Sequence, residues 1–132
     1  MAQTIEAGRS SNMNFSDNSG RMIHILRSRA SKEHLRDMLE ALETYIKLAV
    51  DVRREIAAGG GELHADCEAV LLDDGSSQGD IWGADWIPDT QEVRYEAMLN
   101  IQPRRNNRSM EIEDPGIRAK VGEIVRGLLE GV

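Results

Sequence analysis

One cysteine, Cys67, stands in 132 residues. No disulfide can form within the chain, and a reducing, cytoplasmic setting is the simplest reading. Aromatic residues make up only 4%, so the core must rest on Leu, Ile, Val, Met and Ala. No apolar run approaches the ~20 residues of a membrane span, and the N-terminus lacks the basic-then-apolar pattern of a signal peptide. Positive charge is also scarce: 16 Lys and Arg face 23 Asp and Glu, a net charge of -7. A protein that binds nucleic acid with its whole surface needs a basic face to displace counterions from phosphates, so nucleic acid is disfavoured except at a local patch. The standard catalytic templates are missing as well. There is no HExxH, no GxSxG, no phosphate-binding P-loop and no paired CxxC. These absences lean away from an enzyme, and no cofactor or metal is expected.

What remains is an ordinary hydrophobic fraction of 40%, enough for one domain to hold itself together without staples. Residues 1–21 are polar, rich in Ser, Asn and Gly, and without period. They read as a disordered extension, and residues 22–132 as a single α+β domain. "MIHILR" (Met22–Arg27) predicts a strand, and Ser31 caps a helix carrying Leu35, Met38, Leu39 and Leu42. In Tyr45–Val52 the period changes to two. The spacing there predicts a strand, joined by Arg53, Arg54 and Glu55 to a second one at "IAAGG". A helix is expected over Glu62–Asp73, with Gly75 as its stop. "DIWGADWIPDTQEVRYEAMLNIQP" reads as a second hairpin turning at Pro88-Asp89-Thr90, with its return strand running to Ile101. Asp114 and Pro115 open a last helix with a stripe of Ile117, Val121, Ile124, Val125, Leu128 and Leu129. The order is β-α-β-β-α-β-β-α, a mixed or antiparallel sheet with helices packed on it.

The stretches "AGGGELHADCE", "LLDDGSSQGDIWG" and "NIQP" followed by "NNRSMEIEDPGIR" are long enough to be specific. From Met22 onward the chain resembles a family of small bacterial and archaeal proteins known only as a domain of unknown function. The resemblance implies a domain boundary and no activity. Two positions depart from the family pattern: Gln102 stands where an arginine is usual, and Asn106 where a glycine is usual.

Six constellations are candidates. His64 and Glu68 share a helix face, with Asp66 between them, and could give two ligands to a divalent ion. A third ligand would have to come from His24, Asp80 or Asp85; the plainer reading is a histidine hydrogen-bonded to Glu68. Cys67 falls on the apolar stripe and reads as core rather than nucleophile. The triple glycine reads as a tight strand-to-helix turn rather than a phosphate cradle, since Glu62 and Asp66 would repel an anion. From Glu62 to Asp80 there are acids but no Lys or Arg, either a solvated face or a surface for a basic partner. Arg104, Arg105 and Arg108, with Asn107, form the opposite patch, able to grip phosphate or carboxylate, or simply a charged loop. Trp82 and Trp86 share a strand face and could serve core or interface.

Taken together, these residues favour a non-catalytic binding or regulatory module acting through a protein partner, with the acidic helix, Trp82 and the arginine loop as contacts. The alternatives are a metal-assisted hydrolase or nuclease using His64, Asp66 and Glu68, and a phosphate or nucleic-acid contact through Arg104–Arg108. A homodimer through exposed strand edges is a further expectation.

Overall fold

The computed structural model describes residues 13–16 and 22–132. The strands are β1 (Met13–Ser16), β2 (Met22–Leu26), β3 (Ile46–Asp51), β4 (Ile56–Gly59), β5 (Ile81–Ile87) and β6 (Glu92–Arg94). The helices are α1 (Lys32–Leu39), α2 (His64–Asp73) and α3 (Pro115–Leu129), with short 3₁₀ turns at Gln78–Asp80, Met98–Asn100 and Pro103–Arg105. One six-stranded sheet forms in the order β1-β2-β4-β3-β5-β6, and every pairing is antiparallel. From β2 onward the α+β element order is the expected one. β1 is additional: it lies inside the segment expected to be a disordered extension, yet it pairs with β2, Met13 opposite Ile25. The rest of that extension, residues 1–12 and 17–21, lies outside the described residues.

The helix starts follow local chemistry. Ser31 Oγ accepts the His34 N–H at 3.1 Å, and His34 Nδ1 accepts the Ser31 N–H at 3.0 Å, a reciprocal cap at the head of α1. At the head of α3, Asp114 Oδ1 accepts the N–H groups of Gly116 (2.8 Å) and Ile117 (3.0 Å), while Pro115 occupies the first turn. The head of α2 has no side-chain cap, and the helix begins at His64 rather than at Glu62. Gly75, in the left-handed region at φ +103°, ends it as anticipated.

Period-two alternation sends the strand residues to two separate cores. On one face Leu26, Ile46, Leu48, Val50, Trp82, Ala84 and Trp86 pack with Met38 of α1 and the α3 stripe. On the other face Ile23, Ile25, Ala49, Ile56, Ala58 and Ile81 pack with Cys67, Val70 and Leu71 of α2. Both faces are therefore covered, which is why β5 is buried at all seven positions. The triple glycine makes the crossing from β4 to α2. A Cβ on Gly59 would lie 2.5 Å from Leu48 Cδ2, Gly60 has φ +108°, and a Cβ on Gly61 would press on Ile23 and Cys67. It is a close-packed turn.

The second hairpin departs from expectation. Its return strand stops at Arg94 instead of running to Ile101. The register of Asp85 with Arg94 would bring Glu96 opposite Gly83. Instead the buried Asn100 side chain takes that place: its Oδ1 accepts the Gly83 N–H at 2.7 Å and its Nδ2 donates to the Gly83 carbonyl at 3.1 Å. Gly83 admits this approach because a Cβ there would collide with Ala97. The chain then folds over the α2 face of the sheet rather than extending its edge. Replacing Asn100 with Ala strands both backbone groups of Gly83, and is expected to cost about 2–4 kcal/mol in urea unfolding. A loss below about 1 kcal/mol would contradict this account of the hairpin.

Candidate binding cleft

The acidic run of α2 and its flank is partly neutralised by arginines from distant elements. Asp74 receives Arg27 and Arg54, each at 2.7 Å. Burial pushes the Asp74 carboxyl up, but these two guanidinium groups outweigh it and hold it below the ordinary carboxylate range. Arg54 also donates to Ser76 Oγ at 2.8 Å, and Ser76 donates on to the fully buried Asp51 at 2.6 Å. Asp51 in turn accepts the backbone N–H groups of Arg53 and Arg54, both at 2.9 Å, and so fixes the β3–β4 turn. Asp80 pairs with Arg53 at 3.0 Å. These residues close one end of the sheet.

His64 and Glu68, expected to work together, are engaged apart. His64 Nε2 lies 2.8 Å from Asp85 Oδ1 and 3.2 Å from the Ala84 carbonyl, held against β5. Asp85 is thus the one suggested third ligand that does reach the histidine. Among the described residues no three of His, Cys, Asp and Glu converge to hold a metal ion. Asp66 lies half-buried in the first turn of α2, where the helix dipole favours an acid. Cys67 is fully buried with its thiol on the Lys47 carbonyl at 3.5 Å, a core position.

Glu68 turns to a different partner and a different space. It accepts a hydrogen bond from Gln78 and lines a cavity of about 640 Å³. The other lining residues are Gln78, Gly79, Leu99, Ile101, Gln102, Pro103, Arg104 and Arg105. Half-burial of Glu68 raises its carboxyl above the ordinary value, more than the Gln78 bond lowers it. Arg104 is exposed and has no acidic partner among the described residues, while Arg105 reaches only to 4.0 Å from Asp80. The Arg105 guanidinium lies over Gly79, where a Cβ would run into it. Arg105 also borders a smaller cavity of about 250 Å³ beside Trp82, Asn107 and Glu113.

The loop that carries the arginines is rigidly built. Asn107, expected as a binding residue, is 2% exposed and its amide is consumed internally. Its Nδ2 reaches the carbonyls of Asn100 (2.8 Å), Ser109 (3.0 Å) and Glu111 (2.7 Å), and its Oδ1 accepts the Glu113 N–H at 2.8 Å. Glu113 accepts the N–H groups of Arg108 (3.1 Å) and Ser109 (2.9 Å) and the Ser109 hydroxyl (2.7 Å). The Ser109 hydroxyl leads in holding that carboxyl below its usual range. Arg108 is exposed on this loop but does not line the cleft. Trp82 is also corrected as a contact surface: it is 1% exposed, and it and Trp86 both belong to the core.

Gln102 and Asn106, the two positions singled out in the sequence, each have a structural role. Gln102 Nε2 donates to the carbonyls of Ile81 (3.0 Å) and Leu99 (3.3 Å), tying the cleft loop to the sheet. Asn106 has φ +61°, the left-handed conformation in which asparagine is the commonest substitute for glycine. The lining residues Gln78, Leu99, Ile101 and Gln102 were not candidates from the sequence. Ile101 read as the end of a strand, and its exposure appears only in the folded chain.

Fold and cleft together define an α+β protein whose antiparallel sheet carries helices on both faces and, on one of them, a cavity lined by both charged and apolar side chains. The chain belongs to the family described as protein of unknown function (DUF5674), whose model matches residues 24–128. No curated protein and no solved structure matches it. Among the described residues, no helix is long and apolar enough to cross a membrane.

Two outcomes test this geometry. Asn106→Gly is expected to keep the unfolding midpoint within about 0.5 kcal/mol of the parent, and Asn106→Val to lose about 1–2 kcal/mol. Equal stability of the two variants would refute the backbone explanation. The second concerns the charge on Glu68. Its folded-state pKa is raised, so the unfolded chain gives up the proton first as pH rises. Stability is then lost between the ordinary glutamate value and the higher folded one, and stays lost above it. Glu68→Gln should therefore raise the urea midpoint at about pH 7, with the gain vanishing near pH 3.

Proposed function

We propose that this protein is a non-catalytic binding module that receives an extended segment of a partner protein in the cleft between α2 and residues 99–105. The observation that carries this reading is Arg104, a guanidinium without an acidic partner among the described residues, lining a cavity of about 640 Å³ beside exposed apolar Ile101. Specific recognition sites combine apolar lining with a few directional polar groups. Leu99, Ile101 and Pro103 supply the first, and Arg104, Arg105 and Gln78 the second. Met98, 74% exposed next to the cleft loop, and Met110, 41% exposed, extend the apolar surface toward a partner larger than a small molecule. The rigid loop supports the same reading, because a surface already ordered loses little entropy on binding.

The metal-assisted reading finds no ligand set among the described residues, where His64 is engaged by Asp85 and Glu68 by Gln78. A phosphate or nucleic-acid contact at Arg104–Arg108 is opposed by the carboxylates of Glu68 and Glu113 in the two neighbouring cavities.

Selection from a random peptide library displayed on phage tests the proposal. The expected winners place an apolar residue beside Asp or Glu, and their synthetic forms should lose at least tenfold in affinity for Arg104→Glu combined with Arg105→Glu. Failure to enrich any peptide, or winners that bind the double variant as well as the parent, would overturn the reading. So would tight binding of a single-stranded oligonucleotide that depends on Arg104.

A further inference from the structure

The cleft contains opposite charges that do not neutralise one another. Glu68 on α2 and Arg104 and Arg105 on the 3₁₀ turn line the same cavity, yet no ion pair joins them. Burial raises the Glu68 carboxyl and the Gln78 hydrogen bond offsets part of that rise, while among the described residues no arginine forms an ion pair with it. Arg104 has no acidic partner among the described residues, and Arg105 meets Asp80 only at the limit of an ion pair, 4.0 Å. Elsewhere in the molecule comparable charges have found each other: Arg27 and Arg54 with Asp74, Arg53 with Asp80, Lys120 with Glu55.

Three restraints hold the charges apart. Glu68 is fixed by α2 and by Gln78. Arg105 is laid over Gly79, a position open to it only because that residue has no Cβ. The turn that bears both arginines is anchored by Gln102 to the carbonyls of Ile81 and Leu99. The same cavity is also lined by apolar Leu99, Ile101 and Pro103. A half-enclosed site with separated fixed charges stabilises a ligand whose charges are arranged in the opposite sense, and penalises one charge alone, because the other group stays unpaired.

We propose that the cleft reads charge order along its partner segment: a basic side chain at Glu68, an apolar one on Leu99, Ile101 and Pro103, and a carboxylate at Arg104 and Arg105. This rests on the binding-module reading given above and narrows it from an acidic apolar segment to a dipolar one. The basic group replaces the cation that the fold withholds from Glu68. The carboxylate meets guanidinium forks that can hold both its oxygens.

The test uses fluorescein-labelled peptides in which a lysine and an aspartate flank a leucine, measured by anisotropy against the full chain. In one arm methionine replaces the lysine; in another, asparagine replaces the aspartate; in a third, lysine and aspartate are exchanged. The parent protein should bind the first peptide at least tenfold more tightly than any of the three. Glu68→Gln should abolish the preference for lysine and keep that for aspartate, whereas Arg104→Gln with Arg105→Gln should do the reverse. Gly79→Ala, which changes no charge and displaces only the Arg105 guanidinium, should weaken the aspartate preference. Circular dichroism confirms that each variant is folded. If the methionine peptide binds as well as the lysine peptide, or the exchanged peptide as well as the original, charge order is not read; the binding-module reading then survives while this inference fails. If no peptide of the series binds, and the library selection is also empty, both fall.

Discussion

The side-chain amide of Asn100 takes both backbone groups of Gly83, and the route of the last third of the chain depends on that pairing. Without it the second hairpin would continue its ladder, and Leu99, Ile101 and the arginines would lie along a sheet edge. With it, the chain leaves the edge, crosses the face that α2 covers and makes the far wall of the cleft. A second buried amide, Asn107, completes the turn by bonding back to the Asn100 carbonyl. Two asparagines thus take the place of a strand. Each satisfies backbone groups that would otherwise be buried unpaired, at a cost of roughly 1–3 kcal/mol apiece.

Much of the fold was legible in local pattern. The Asp114-Pro115 start of α3, the Ser31 cap of α1, the strand at β3 and the stop at Gly75 all depend on residues near one another in the chain, and all are found as read. The misreadings share one cause. The strand expected to reach Ile101 alternates properly, but its fate is decided by an amide reaching back 17 residues to Gly83. Asn107 read as a binding group because asparagine in a polar loop so often is one; its consumption by four backbone groups could be seen only in three dimensions. The acidic run read as one-signed because its arginines, Arg27, Arg53 and Arg54, come from outside it. Of the candidate site, Glu68, Arg104 and Arg105 were named, but as members of opposed patches, and only the fold brings them to one cavity.

The molecule also shows where charge stabilises and where it is tolerated at a cost. The Arg27–Asp74–Arg54 cluster, continued through Ser76 to Asp51, leaves its acids accepting from positive or backbone donors and pins the β3–β4 turn to the end of α2. Glu68 has no such compensation, and its burial works against ionisation. Stability alone would favour a neutral side chain there. A carboxyl held there works against stability, a cost that the well-packed core absorbs.

The separation of the two cores has a consequence for how such a chain can change over time. The tryptophan face, with α1 and α3, holds most of the large buried side chains, whereas the cleft is assembled on the opposite face from α2 and the loop after β6. A continuous sheet of backbone stands between them, so substitutions on the two sides share few partners and their effects should add rather than interfere. The cleft lining is therefore free to change without retuning the tryptophan core, and the architecture is kept while that surface varies.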